Sequence, residues 1–149
     1  MKRLIDAYKF ERVRAAHQAL AGLLNETLPQ LPADILIVPV PTIMPHVRVR
    51  GYAHVELVAK RLADIRGHRY AEVLVRRHNQ PQRGALRQER IKRASLAFKS
   101  KQLDGQACLL VDDVFTTGST LEYAARELKA AGASSVWVAV LSRQPLEKT

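Results

Sequence analysis

One segment constrains the architecture more than any other. Ala107-Cys108-Leu109-Leu110-Val111 is an unbroken apolar run, and Asp112 and Asp113 follow it directly. A small hydroxyl-rich turn, Thr116-Thr117-Gly118-Ser119-Thr120, then opens a stretch with helical spacing over residues 121–131. Four to eight apolar residues bounded by turn chemistry suit a buried strand, and the 3.6-residue period that follows suits a helix packed against it. A buried strand that passes straight into a helix belongs to layered α/β architecture.

The rest of the chain repeats that alternation. Tyr8, Val13, Ala16, Leu20, Leu23 and Leu24 predict a helix over residues 4–28, with a break near Lys9–Phe10 and with Pro29 and Pro32 ending it. Residues 34–40, Asp-Ile-Leu-Ile-Val-Pro-Val, read as a buried β-branched strand. A helix is expected over 52–65 with Gly67 as its stop, then a second strand over 71–75. Residues 76–103 are basic and amphipathic, with a short helix expected over about 85–94. Strands over 107–112 and 135–141 flank a helix over 119–131 that Gly132 closes. The expected fold class is α/β: a Rossmann-like, mainly parallel sheet flanked by helices. The expected organisation is a single domain over 1–143, with a helical segment at 1–30, a basic region at 76–103 and a loose tail at 144–149. Ligands of such folds sit outside the carboxyl ends of the strands. The acidic pair and the turn after Val40 both fall there and can face one cleft.

Composition narrows the function classes. The hydrophobic share of 47% supports a real core. No run of about 18 apolar residues predicts a membrane span, and the first residues lack a secretion core. The lone Cys108 cannot form an internal disulfide or a thiolate zinc site, so a cytoplasmic protein is expected. Net charge is +10, from 24 basic and 14 acidic residues, which favours polyanions: nucleic acid is one candidate and a polyphosphate substrate another. The aromatic residues are scattered and do not alternate with basic ones, so no base-stacking platform is expected. His17, His46, His54, His68 and His78 share no metal-ligand spacing. Glu122 and Glu127 are expected to be solvated, and Trp137 to pack in a core strand.

The chemistry of the turn follows from its residue types. The first N–H groups of a helix have no intrahelical partner, and the helix dipole adds positive potential there, so an anionic phosphate is favoured. Gly118 opens conformations closed to residues with a Cβ. Thr116, Thr117, Ser119 and Thr120 add uncharged donors. The turn has no lysine, which separates it from the phosphate loop of nucleotide hydrolases. Adjacent carboxylates repel phosphate and suit sugar hydroxyls instead, directly or through Mg²⁺ and its waters. Hydroxyls at the acids and phosphate at the amides describe ribose 5-phosphate.

Residues 109–120, with Cys108 before them, resemble the motif that binds phosphoribosyl pyrophosphate (PRPP) in type I phosphoribosyltransferases: four apolar residues, two acids, two more residues, then Thr-Thr-Gly-x-Thr, with every position filled. Val38-Pro39-Val40-Pro41, then Arg48 and Arg50-Gly51-Tyr52, resemble the ComF family within that class. Gln80 or Gln82, Leu86, Arg90 and Ala97-Phe98 match its middle segment, and Tyr8-Lys9-Phe10 its N-terminal Lys-aromatic step. The resemblance implies the type I phosphoribosyltransferase fold and transfer of phosphoribosyl from PRPP to an unidentified acceptor, with Mg²⁺ as cofactor and release of pyrophosphate. It implies a link to DNA uptake (competence) or to nucleotide salvage. It assigns the ribose hydroxyls or Mg²⁺ to Asp112 and Asp113, and the 5-phosphate to Thr116, Thr117, Gly118, Ser119 and Thr120. It assigns the pyrophosphate to the turn at Val40 and Pro41 with Arg48, Arg50 and Arg90, and the acceptor pocket to Lys9. The chain departs from the pattern where Ala53 and His54 replace an Asn-Gln pair, where Arg93 replaces an Asn, and in having no four-cysteine zinc module. An alternative is a non-catalytic competence or regulatory module that keeps the fold and binds single-stranded DNA or a competence-protein partner. No membrane insertion is expected, and a homodimer is a candidate assembly.

Overall fold

The computed structural model describes residues 2–41, 54–76, 98–115 and 118–143. Its elements in chain order are α1 (Lys2–Thr27), β1 (Leu36–Pro39), α2 (His54–Arg66), β2 (Arg69–Tyr70), β3 (Leu74–Arg76), β4 (Phe98–Ser100), β5 (Cys108–Phe115), α3 (Ser119–Ala130) and β6 (Val136–Arg143). β1, β2, β5 and β6 form a four-stranded parallel sheet in the order β2-β1-β5-β6.

The period-two alternation of strand side chains sorts the apolar residues into two cores. Ile35 and Ile37 around β1, with Leu109 and Val111 of β5, pack with Ala21 and Leu24 of α1 and Val58, Ala59 and Leu62 of α2. Leu36, Val38 and Val40, with Cys108 and Leu110, pack with Leu121, Ala124 and Leu128 of α3 and with Leu74 and Phe98 of β3 and β4. Covering on both faces explains why β1 and the first half of β5 are apolar without interruption. Cys108 is fully buried, as expected.

Two helices end as their sequence signals predict. Gly67 takes a left-handed φ of 69°, Gly67 N–H donates to Asp64 O at 3.4 Å and His68 N–H to Ala63 O at 3.0 Å, which is the Schellman arrangement. Gly132, at φ 103°, closes α3 in the same way, with bonds to Lys129 O and from Ala133 N–H to Leu128 O. The C-terminal turn of α1 is finished differently. Arg66, at the end of α2, donates to Asn25 Oδ1, Asn25 O, Leu28 O and Pro29 O, each at 2.9 Å. That clamp ties the two helices on one face of the sheet and satisfies carbonyls that the end of α1 leaves open.

Several expectations change. α1 runs without a break through Lys9–Phe10. The second strand is not one segment over 71–75: β2 is only Arg69–Tyr70, and the chain then leaves the sheet. β3 pairs antiparallel with β4 instead, Leu74 with Ser100 and Arg76 with Phe98. The reason lies in the burial, because Leu74 is covered while Val75 is 51% exposed, a one-sided pattern that a two-stranded ribbon tolerates and a central parallel strand does not. β5 reaches Phe115, past the expected end at 112, because β6 pairs with it as far as Arg143. Trp137 is not core packing: it is 41% exposed beside Val138, since β6 is the outer strand of this sheet. The expected helix over 85–94 and the tail over 144–149 lie outside the described residues.

Candidate functional site

The carboxyl ends of β1 and β5 lie side by side. Pro39 is in register with Val111, and Val40 N–H donates to Val111 O at 2.9 Å. The turn that begins at Val40 and Pro41 therefore starts beside the acidic pair. Val40 is 2% exposed, and Pro41 is half-buried.

Asp112 and Asp113 are both half-buried within β5, and Asp113 N–H donates to Asp112 Oδ1 at 2.8 Å. Burial raises the Asp112 carboxyl from its ordinary value of 3.8 to about 6. The Asp113 carboxylate adds to the rise by like charge and by a side-chain hydrogen bond, whereas the backbone bond from Asp113 and the Arg76 charge oppose it. Two close carboxylates that resist sharing full charge are prepared for hydroxyl donors or a hard cation.

α3 begins just beyond. Gly118 is its N-cap, with φ 78° and ψ −2°, and offers no side-chain cap. Gly118 O accepts the first helical bond, from Glu122 N–H at 2.9 Å. The left-handed turn is open to glycine without strain. The first N–H groups of a helix have no intrahelical partner, so an opening without a side-chain cap has the chemistry to accept an anion. Glu122 in the first turn is exposed and paired with Arg126 at 2.6 Å, which offsets part of its repulsion. Thr120 is exposed.

The structure brings Val40, Pro41, Asp112, Asp113 and the Gly118–Thr120 helix opening to the carboxyl end of the sheet. Thr116, Thr117, Arg48, Arg50 and Arg90 lie outside the described residues, and Lys9 is described only as part of the α1 backbone. Glu127 departs from its expected solvated role, because its carboxylate accepts from Ser100 N–H at 3.3 Å and joins α3 to β4.

One residue went unnoticed in the sequence. Arg76 closes β3, and its Nε donates to Pro41 O at 2.8 Å. Its guanidinium carbon lies 4.8 Å from the centroid of the Phe98 ring, directly across the β3–β4 ladder. Burial lowers the pKa of the guanidinium and Asp112 opposes that change. The sequence signal was present but faint: an arginine ending a short apolar run, overshadowed by the basic residues that follow it.

Comparison with known proteins bears on the family and the fold. A phosphoribosyl transferase domain model matches residues 41–148. Competence protein ComFC of Bacillus subtilis (strain 168) is 29% identical over 142 residues, covering 91% of this chain and 58% of that protein. An allosteric regulatory enzyme of purine biosynthesis matches in structure with TM-score 0.64 and 18% identity, over 87% of this chain and 26% of the other. Glutamine PRPP amidotransferase from B. subtilis, solved with ADP and GMP, matches with TM-score 0.63 and 19% identity, over the same shares. The chain thus spans somewhat over half of its curated relative and about a quarter of the two enzymes. At these identities the structural matches speak for the fold, which is the parallel, helix-flanked sheet expected from the sequence.

Proposed function

This chain belongs to the phosphoribosyl transferase domain family, and on that premise we propose that it binds PRPP and transfers its phosphoribosyl group to an acceptor with release of pyrophosphate. The observation that supports this most is a juxtaposition. The start of the turn after β1 at Val40–Pro41, the acidic end of β5 and the glycine-initiated opening of α3 meet at one end of the sheet.

Each part has a role set by its chemistry. The α3 opening and the hydroxyls of Thr116, Thr117, Ser119 and Thr120 hold the 5-phosphate. Asp112 and Asp113 accept from the ribose hydroxyls. Donors arriving at Asp112 replace the water that burial removes and favour its charged form. The turn at Val40–Pro41, with Arg48, Arg50 and Arg90, holds the pyrophosphate, where negative charge grows as its bond to C1 breaks. Two adjacent carboxylates are oxygen donors of the type Mg²⁺ takes alongside substrate phosphates, so Asp112 and Asp113 fit such an ion, and it would spread the charge of the leaving group. Lys9 is the candidate lining of the acceptor pocket. The similarity to ComFC, a protein named for competence, supports a link to DNA uptake; nucleotide salvage is the other role consistent with the chemistry.

Calorimetry with PRPP and Mg²⁺ tests the site. The wild type should give heat that the double variant Asp112→Asn/Asp113→Asn loses. Silence from the wild type, or equal binding by the variant, would remove the assignment. A screen of bases, amines and aromatic acceptors for PRPP-dependent pyrophosphate release tests transfer itself.

A second reading keeps the fold and omits transfer. The net charge of +10 and the replacement of the Asn-Gln pair by Ala53 and His54 favour it. On that reading the protein binds single-stranded DNA, and affinity should fall steeply across a salt series. Undetectable binding at low salt would dismiss it.

A further inference from the structure

We propose that Arg76 is a positioning residue of the pyrophosphate side of the cleft, holding the turn after β1 against the acidic end of β5. The inference rests on the PRPP reading above and adds to it a residue that no recognised motif supplied.

Arg76 is placed by three parts of the chain, two through contacts and one through charge alone. Phe98, 3% exposed, faces it from β4, where the cross-strand pair Arg76↔Phe98 sets the guanidinium over the ring in a cation–π contact. Nε reaches the Pro41 carbonyl, 35 residues away in sequence, just after the chain leaves β1. The third is electrostatic, toward Asp112 on β5. The carbonyl of a half-buried proline is thereby given a charge-assisted donor.

The arrangement answers a specific need. A polyanion must settle beside two carboxylates, and Arg76 brings a permanent positive charge to the start of the turn beside them. The same side chain joins the start of the turn to β4, since it contacts both Pro41 and Phe98. Lysine would keep the charge, but it has no planar fork and no donor at the ε position, so it cannot satisfy both Phe98 and Pro41. Arg76 itself need not touch the ligand; it acts through Pro41 and Asp112.

The position of Arg76 predicts selectivity in its effect. It supports the pyrophosphate side: among the described residues its contacts are with Pro41 and Phe98, away from the α3 opening, where the 5-phosphate would bind. Titrations of wild type, Arg76→Met, Arg76→Lys and Phe98→Leu with Mg²⁺–PRPP and, separately, with ribose 5-phosphate read this out. PRPP affinity should fall about 10-fold or more in Arg76→Met, the loss of one charge-assisted bond, while ribose 5-phosphate affinity stays within about 2-fold. Arg76→Lys and Phe98→Leu should lie between wild type and Arg76→Met for PRPP alone. If Arg76→Met does not fold, the lysine and leucine variants carry the same comparison. Unchanged PRPP binding, or equal loss of both ligands, overturns the inference and leaves the PRPP reading intact. A wild type that binds neither ligand overturns that reading, and the inference with it.

Discussion

Asp112 should cost the protein stability in its ligand-free form, and replacing it with asparagine should recover that stability. The burial that raises its carboxyl to about 6 penalises the charge whenever the group is ionised. In the unfolded chain the group titrates near 3.8. Between those values the folded state holds more protons, so stability falls as pH rises through the interval and levels off above it. Each pKa unit corresponds to about 1.4 kcal/mol, which sets an upper bound of about 3 kcal/mol. Partial exposure reduces the working figure to about 1–2 kcal/mol. Asparagine keeps an Oδ1 that can accept from Asp113 N–H, so the local backbone bond survives. Urea denaturation of wild type and Asp112→Asn, in buffer free of Mg²⁺ and phosphate esters, gives the comparison. At pH 8 the variant should be more stable by about 1–2 kcal/mol; below pH 3.8 the two should converge. A variant that is less stable at pH 8, or an advantage that does not change with pH, would refute the reasoning. The same variant should lose affinity for Mg²⁺–PRPP, so stability and binding move in opposite directions, as is common at functional sites.

Gly118→Ala places a Cβ at φ 78°, which should destabilise the protein by about 1 kcal/mol and weaken ribose 5-phosphate binding; unaltered affinity would show that the turn does not hold the ester. Arg66→Ala removes the clamp on the end of α1 and leaves partly buried carbonyls without their donor, a loss of about 1.5–3 kcal/mol in urea midpoint experiments, with PRPP affinity unaffected because the clamp is on α2 and away from the acids. Leu128→Ala empties a fully buried position between α3 and the sheet and should cost about 2–5 kcal/mol by the same measurement.

Much of this protein could be read from local pattern. The apolar run before Asp112, the glycine after Thr117 and the helical period from Leu121 are all short-range signals, and each depends on the preferences of neighbouring residues. The same holds for the stops at Gly67 and Gly132, whose left-handed turns are rare for other residues. The order and type of the main elements, and the acids at the carboxyl end of their strand, follow from such signals. Pairing partners do not. Leu74-Val75-Arg76 is as apolar as a sheet strand at its start, yet it pairs with residues 98–100, because a ladder depends on what the distant chain presents. Trp137 is exposed because, among the described residues, β6 has a neighbour on one side only, a fact of strand order that no single segment encodes. Arg76 shows the limit most clearly. Its type and place in the chain describe one more surface cation, and only the packing of β3 on β4 beside the end of β1 turns it toward Pro41, Phe98 and Asp112. Local sequence sets conformational preferences over a few residues, whereas burial and charge pairing are set by groups tens of residues apart, so the roles of such residues are decided only when the chain is folded.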